Sequence, residues 1–342
     1  MADLDDSSDF IEPASDNVSL RTEELATVTS DYEPTLNESL VGSLTSSVYA
    51  HVYENGRRYH MYKQGLYPLP NDDGEYGRES IRHALFLDLL SGRLHLAPIG
   101  DSPQKIMDIG TGFGDWSIEM GDKYPSARVI GLDLSPIQPV WVPPNVEFVV
   151  EDAEEDQWIH GNDFDFIHFR VAAVVLKDPI RVAATAFDNL KPGGWIEFQE
   201  ILPRVGCNDS TMPDDYAMQR YYHTVCDIMA RKYGWDAFVA ERLPVELERI
   251  GFVNIQRKVY HVPIGFWPKD KKRMHHAFLY REVVNDTMPA LRAKPLVGND
   301  VGLTPDEIDS LFADTRAALC LKRVHAYVPF HFVWAQKPQR MR

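Results

Sequence analysis

Cysteine is scarce in this 342-residue chain, and its three copies, Cys207, Cys226 and Cys320, lie far apart. They build neither a disulfide framework nor a zinc-type spacing, so free thiols in a reducing compartment are expected. Long apolar runs are also missing. None approaches the ~20 residues that a membrane helix needs, so no membrane span is expected. The first residues are acidic, without a basic start or an apolar stretch, which argues against a secretory signal. Positive charge is in deficit: 35 Lys and Arg face 51 Asp and Glu, a net of -16. Residues 1–40 hold eleven of those acids and one base, Arg21, which leaves 40 acids and 34 bases elsewhere, a net of -6. A body that is only mildly acidic does not point to direct binding of nucleic acid. With 44% hydrophobic and 25% charged residues, the chain reads as a soluble, intracellular globular protein of one large or two modest domains.

The acidic, Ser- and Thr-rich residues 1–40 cannot bury enough surface to offset ordering, so a disordered tail is expected there. Residues 41–100 read as a helical cap. Within them Ile81, Leu85, Phe86, Leu89 and Leu90 recur at three- and four-residue steps, which predicts an amphipathic helix over Glu75–Leu90. Tyr59, Tyr62, Tyr67 and Arg78 are candidates to close a pocket from this cap, against the plainer reading of a packed helix. Residues 101–342 follow as the main domain.

The stretch Lys105–Trp116 organises the rest. Ile106, Met107 and Ile109 supply a short buried strand, Gly110, Gly112 and Gly114 a sharp turn, and a helix opens near Phe113 with free amides facing that turn. Such a turn binds a nucleotide or nucleoside. A dinucleotide fold wants G-x-G-x-x-G, whereas here the third slot holds Asp115 and an acid, Asp108, precedes the first glycine by two residues. A carboxylate there repels pyrophosphate but suits a ligand with an ammonium and a sulfonium, which disfavours an NAD-linked oxidoreductase.

Beyond the turn, strands and helices alternate: helix Phe113–Lys123, strand Ala127–Leu134, strand Val146–Asp152, strand Phe164–Arg170, helix Pro179–Leu190 and strand Trp195–Ile201. This rhythm predicts a mostly parallel sheet with right-handed crossovers. Helices are expected over Tyr216–Tyr233, Asp236–Ile250, Lys269–Pro289 and Pro305–Leu321, and strands over Phe252–Val262 and Ala326–Gln336. In an open parallel sheet the ligand lies outside the carboxyl ends of the strands. Those ends carry Asp108 with the turn, then Asp133, then Glu151-Asp152-Ala153, then His168-Phe169-Arg170, then Gln199-Glu200. Asp133 can accept from both ribose hydroxyls, and Asp152 from an adenine amino group while the backbone beside it reads the ring edge. Any one of these acids can be a mere turn cap; three at successive strand ends, with the glycine turn, fit a nucleoside.

Asp108-Ile109-Gly110-Thr111-Gly112-Phe113-Gly114, Asp133, Glu151-Asp152-Ala153, Phe164–Arg170 and Leu190–Trp195 resemble successive motifs of the class I S-adenosylmethionine-dependent methyltransferases. With Asn55–His60, Tyr67–Asp72 and Gly193–Glu200 they resemble the fungal LaeA-like methyltransferases, regulators of secondary metabolism and development. The likeness is good over about residues 50–205 and weaker beyond. It implies a Rossmann-like α/β fold, a mostly parallel seven-stranded sheet with an antiparallel edge strand, a helical N-terminal cap and helical insertions over residues 205–325. It implies S-adenosyl-L-methionine as cofactor, with Asp108, Gly110, Thr111, Gly112, Asp133, Leu134, Asp152, Ala153 and Arg170 around it. A cytoplasmic or nuclear regulatory role, with velvet-type or other methyltransferase-associated proteins as partners, is implied as well.

A transferred methyl needs an acceptor held in line, and a base only where the acceptor must lose a proton. His168 is the candidate base, at the mouth of its strand; a strand histidine bonded to a neighbour is the other reading. Arg170 can bind the substrate or the cofactor carboxylate, or pair with an acid such as Glu200. Glu200 can itself orient the acceptor. The Asp/Asn-Pro-Pro-Tyr/Phe string of many amino-group methyltransferases is absent, with Phe169-Arg170-Val171-Ala172 in its place. No metal-ligand spacing appears, and His275-His276 are adjacent and off a shared helix face. Lys269–Arg273 reads as a solvated helix start rather than a nuclear signal. Two functions stay open: a methyltransferase acting on a protein or small molecule, or a cofactor-binding regulatory subunit that works through protein contacts.

Overall fold

The computed structural model describes Ile11 and residues 50–155 and 157–339; the expected acidic tail, Ile11 apart, lies outside them. Two short strands come first. β1 (His51–Glu54) and β2 (Arg57–His60) pair antiparallel across Asn55-Gly56, whose φ angles of 52° and 75° are those of a type I′ turn. The expected helical cap therefore opens with a β-hairpin. α1 (Asp73–Leu89) follows, started by Asp72, whose carboxylate accepts from the Glu75 amide at 3.2 Å.

The sheet is built from β3 (Lys105–Ile109), β4 (Arg128–Asp133), β5 (Val146–Val150), β6 (Phe164–Arg170) and β7 (Leu190–Ile201), with α2 (Asp115–Lys123) after β3 and α3 (Pro179–Asn189) after β6. β8 (Gly206–Cys207), α4 (Ala217–Tyr233), α5 (Val239–Ile250), β9 (Val253–Pro263), α6 (Lys271–Ala293), α7 (Pro305–Ala318) and β10 (Ala326–Gln336) complete it. Across the sheet the order is β5-β4-β3-β6-β7-β10, with β9 paired along β10 and two-residue β8 paired antiparallel with the start of β10. β3 to β7 are parallel; β10 runs antiparallel to both β7 and β9. The fold is the expected Rossmann-like one, mostly parallel, with the last two strands as an antiparallel edge pair. The chain moves outward from β3 to β5, then returns to the other side of β3 for β6. That reversal opens a crevice beyond the carboxyl ends of β3 and β6.

Element bounds lie within a few residues of expectation. α6 runs past Pro289 to Ala293, because a proline removes one helix bond without forbidding the next turn. Asp270 caps α6, accepting from the Arg273 amide at 2.9 Å, so the basic run Lys269–Arg273 is a helix start. Among the described residues no helix is long and apolar enough to cross a membrane.

Both sheet faces are covered. On one, Leu85, Phe86, Leu89 and Leu90 of α1 pack with α4, α6 and α7 against Phe330 and Phe332 of β10. On the other, α3 and α5 cover Ile167, Phe169, Ile196 and Val333. Phe86 ties the cap to the sheet: it is fully buried, with ring centroids 5.2 Å from Phe330 and 5.8 Å from Phe332. Phe86→Ala is expected to cost about 3–5 kcal/mol in urea unfolding, the range for a large core deletion; a loss below about 1 kcal/mol contradicts this packing.

Candidate functional site

Asp108 leaves β3 buried and takes three donors. Oδ2 accepts from Thr111 Oγ1 at 2.7 Å and Ser117 Oγ at 2.9 Å; Oδ1 accepts from His168 Nδ1 at 2.8 Å. One carboxylate thus binds the glycine turn, the first turn of α2 and β6 together. The amides of Gly110 and Thr111 also dock on the Leu132 carbonyl, at 2.8 and 3.0 Å. Gly114 sits at φ 90°, where a Cβ would lie 2.4 Å from the Phe148 ring. Gly112, at φ 59°, has nothing within 4 Å of that position, so its backbone is bare.

His168 does not stand at a mouth. It is fully buried, bonded to Asp108 and stacked on Trp116 at 3.7 Å and 3°. Burial pulls its pKa down to about 4. This ring orders the turn, and the base role expected for it does not fit the position. Asp108 holds the turn and at the same time lines the smaller pocket, with one donor on Oδ1.

The crevice opens as a cleft of about 1030 Å³, its solvent mouth included. Gly110, Gly112, Asp133, Leu134, Asp152, Ala153 and Arg170 all line it. Thr111 and Asp108 line only a smaller pocket that joins it. Asp133 Oδ2 accepts from the Gly112 amide at 2.8 Å and Oδ1 from the Ser135 amide at 2.9 Å. Burial raises its carboxyl to about 6, against the help of those amides. Asp152 Oδ1 accepts from the Glu154 amide at 2.9 Å, and Oδ2 takes the Lys63 ammonium at 2.8 Å. Lys63 also pairs with Glu155, so the cap is latched over this end of the cleft. Each carboxylate oxygen has a second lone pair for a further donor.

The smaller pocket lies between the glycine turn, the N-terminus of α2 and α1. Glu79, Arg82, His83, Asp115 and Arg170 line it. Arg170 is held from three sides: Nε donates to Gln199 Oε1 at 2.8 Å, Nη1 donates to His83 Nδ1 at 2.9 Å, and the guanidinium lies 5.0 Å over the Phe86 ring. Its Nη2 is buried and without a partner. Burial lowers its pKa to about 10, with Asp108 and Glu197 opposing. No ion pair joins Arg170 to Glu200 or to another acid among the described residues. A guanidinium in that state lacks an anion. With Arg82 as a second cation and Glu79 and Asp115 as acids, the pocket has the charges to receive an α-amino acid.

Glu200 lies outside the lining. Its Oε1 accepts from the amides of Ala172 and Ala173 at 3.2 and 2.9 Å, and burial raises its carboxyl to about 7. It therefore shapes the loop after β6 rather than meeting an acceptor directly. That loop begins with Val171 at φ 50°, a strained conformation for a β-branched residue. The Val171 amide donates to the Gln199 carbonyl at 2.9 Å, and Val171, Ala172 and Val175 wall the cleft.

Of the cap tyrosines, Tyr67 lines the cleft and stacks on Trp235 at 5.9 Å; Tyr59 and Tyr62 do not line it. Arg78 does, paired with Glu75 at 2.6 Å and Glu79 at 2.5 Å. Glu75, Glu79 and Arg82 escape the sequence reading, although with Arg78 they extend the stripe of Leu85, Phe86 and Leu89 at helical steps toward the N-terminus of α1. His83 and Lys63 carry no such signal.

A family model described as a methyltransferase domain matches residues 81–262. The chain is 38% identical to the methyltransferase pytC of Aspergillus terreus, over 88% of this chain and 92% of that one. It is 35% identical to the secondary metabolism regulator LAE1 of Cochliobolus heterostrophus, over 84% and 95%. It is 32% identical to the protein-methionine methyltransferase laeA of Emericella nidulans, over 84% and 76%.

Two charge-assisted bonds to a ribose support roughly a hundredfold in affinity. Asp133→Ala is expected to weaken S-adenosylhomocysteine by about that factor in calorimetry. For the unchanged protein, affinity is expected to fall as pH drops through about 6, where Asp133 gains a proton and stops accepting from both hydroxyls. An alanine variant that binds as tightly as the parent contradicts the ribose site.

Proposed function

This chain belongs to the fungal LaeA-like S-adenosylmethionine-dependent methyltransferases, and from that premise we propose that its cleft takes the cofactor in two parts. The adenosine lies over Asp133 and Asp152, and the amino-acid tail enters the smaller pocket beside Arg170. The observation that carries this reading is the buried, unpartnered Nη2 of Arg170 in a pocket whose other walls supply acids and helix amides. Bare glycine backbone at Gly112 supports it, since a flat nucleoside needs close approach there.

When bound, the cofactor supplies an electrophilic methyl group on a sulfonium. Every other part of the task belongs to the chain. Asp133 accepts from the ribose hydroxyls, Asp152 from the adenine amino group, and the backbone at Ala153 reads the ring edge. Glu79 and Asp115 face the ammonium, and Arg170 the carboxylate. The cap, latched by Lys63, excludes water from this end. Val171 to Val175, held by Glu200, form the wall against which an acceptor is aligned, so transfer rests on orientation.

We read the acceptor as a protein or a small molecule, and the role as regulation of secondary metabolism or development. The names of the relatives support this, two of them secondary-metabolism regulators or protein methyltransferases. Our reading extends to a cytoplasmic or nuclear place and to velvet-type or other methyltransferase-associated partners. The test is a pull-down of partners followed by incubation with methyl-labelled S-adenosylmethionine. Label is expected on a copurifying protein or small molecule, and none with Asp133→Ala. Stable association with no transfer by either protein would move the role to a cofactor-binding regulatory subunit.

A further inference from the structure

We propose that His83 is a positioning residue for Arg170, and that its protonation releases the grip on the cofactor's carboxylate. The inference rests on the amino-acid pocket proposed above and says what governs it. An arginine only donates, so the 2.9 Å contact between Arg170 Nη1 and His83 Nδ1 requires a bare lone pair on Nδ1. The proton is then on Nε2, which donates to Glu119 Oε1 at 3.0 Å. Glu119 on α2 sets the tautomer, His83 on α1 receives Arg170, and Gln199 on β7 holds the guanidinium from the other side at 2.8 Å. Gln199 is itself fixed by donation to the Leu94 carbonyl at 3.0 Å and to Glu197 at 2.8 Å. The chain leaves one nitrogen, Nη2, to face an anion.

Protonated His83 has no lone pair and sets a second cation against Arg170. Around it stand Arg170 from β6, Glu119 and Asp115 from α2, and Glu79 and Arg82 from its own helix. Burial and Arg170 oppose the charged ring; Glu119 and Asp115 favour it. The ring is therefore neutral at pH 7 and charges on the acid side of its ordinary range. Only ligands with the amino-acid tail can report this. 5′-Methylthioadenosine has the same nucleoside and no tail, so the titration of Asp133 acts on both ligands and cancels in their ratio.

The experiment is calorimetry of the full chain with S-adenosylhomocysteine and with 5′-methylthioadenosine from pH 8 to pH 5. The affinity ratio is expected to fall about tenfold on acidification, the worth of one charge-assisted hydrogen bond. In His83→Asn the side-chain oxygen takes the place of Nδ1 without titrating, so the ratio is expected to stay high and flat. In His83→Leu it is expected to be low and flat, with 5′-methylthioadenosine bound as before, which also reports a folded protein. A ratio that still falls in His83→Asn assigns the titration to Asp115 or Glu79 and overturns the proposal. So does a parent ratio independent of pH. Failure of both nucleosides to bind the parent at any pH would instead overturn the cofactor site itself.

Discussion

The buried carboxylate of Asp108 is the constraint on which the site depends. It takes hydrogen bonds from the turn, from α2 and from β6, and so holds three elements in one arrangement. With its lone pairs engaged in this way, the turn needs no ligand to keep its shape. The cost is that His168 leaves the chemistry. The ring of His168, pressed flat on Trp116, is a structural donor whose low pKa keeps it neutral. Recognition passes outward, to residues whose polar atoms are still open to the cleft.

Those residues come from two sources. The sheet supplies Asp133, Asp152 and Arg170 at neighbouring strand ends, as the reversal of strand order between β3 and β6 dictates. The cap supplies the opposite wall. One stripe of α1 faces inward: it is charged in its N-terminal half, where Glu75, Arg78, Glu79 and Arg82 meet the cleft, and apolar in its C-terminal half, where it meets β10. Arg78 is nearly fully buried, yet it keeps its charge because Glu75 and Glu79 flank it and outweigh desolvation. Burying such a ladder is costly unless each charge is paired, and here the pairs run along α1, with Arg57 of the hairpin reaching Glu75. Phe86 then couples both tasks: it fills the core below and stacks under Arg170 above.

Much of this was legible in the residue pattern. The parallel strands are apolar on both faces and bounded by Gly, Pro and Asp, so their extents and the fold class follow from composition and spacing. Glycines at 110, 112 and 114 mark the turn because positive φ is needed there. The β1–β2 hairpin was missed although Asn55-Gly56 is its strongest local signal. The burial of His168 and Glu200 escapes the sequence for one physical reason. Sequence places a residue at a strand end but does not tell whether its side chain turns into the cleft or back under the neighbouring loop. Both turn back, His168 to the Asp108 carboxylate and Glu200 to the amides of Ala172 and Ala173. His83 and Lys63 meet partners 87 and 89 residues away, a distance at which spacing carries no information.

The central claim is that an α-amino acid and a nucleoside share this crevice, one at Arg170 and the other at Asp133. A crystal structure of the chain with S-adenosylhomocysteine tests it most directly. The account predicts both ribose hydroxyls on the Asp133 carboxylate and the ligand carboxylate on Nη2 of Arg170, with the Asp108–His168 bond unchanged. A ligand whose carboxylate points to solvent, or whose ribose lies away from β4, would contradict it.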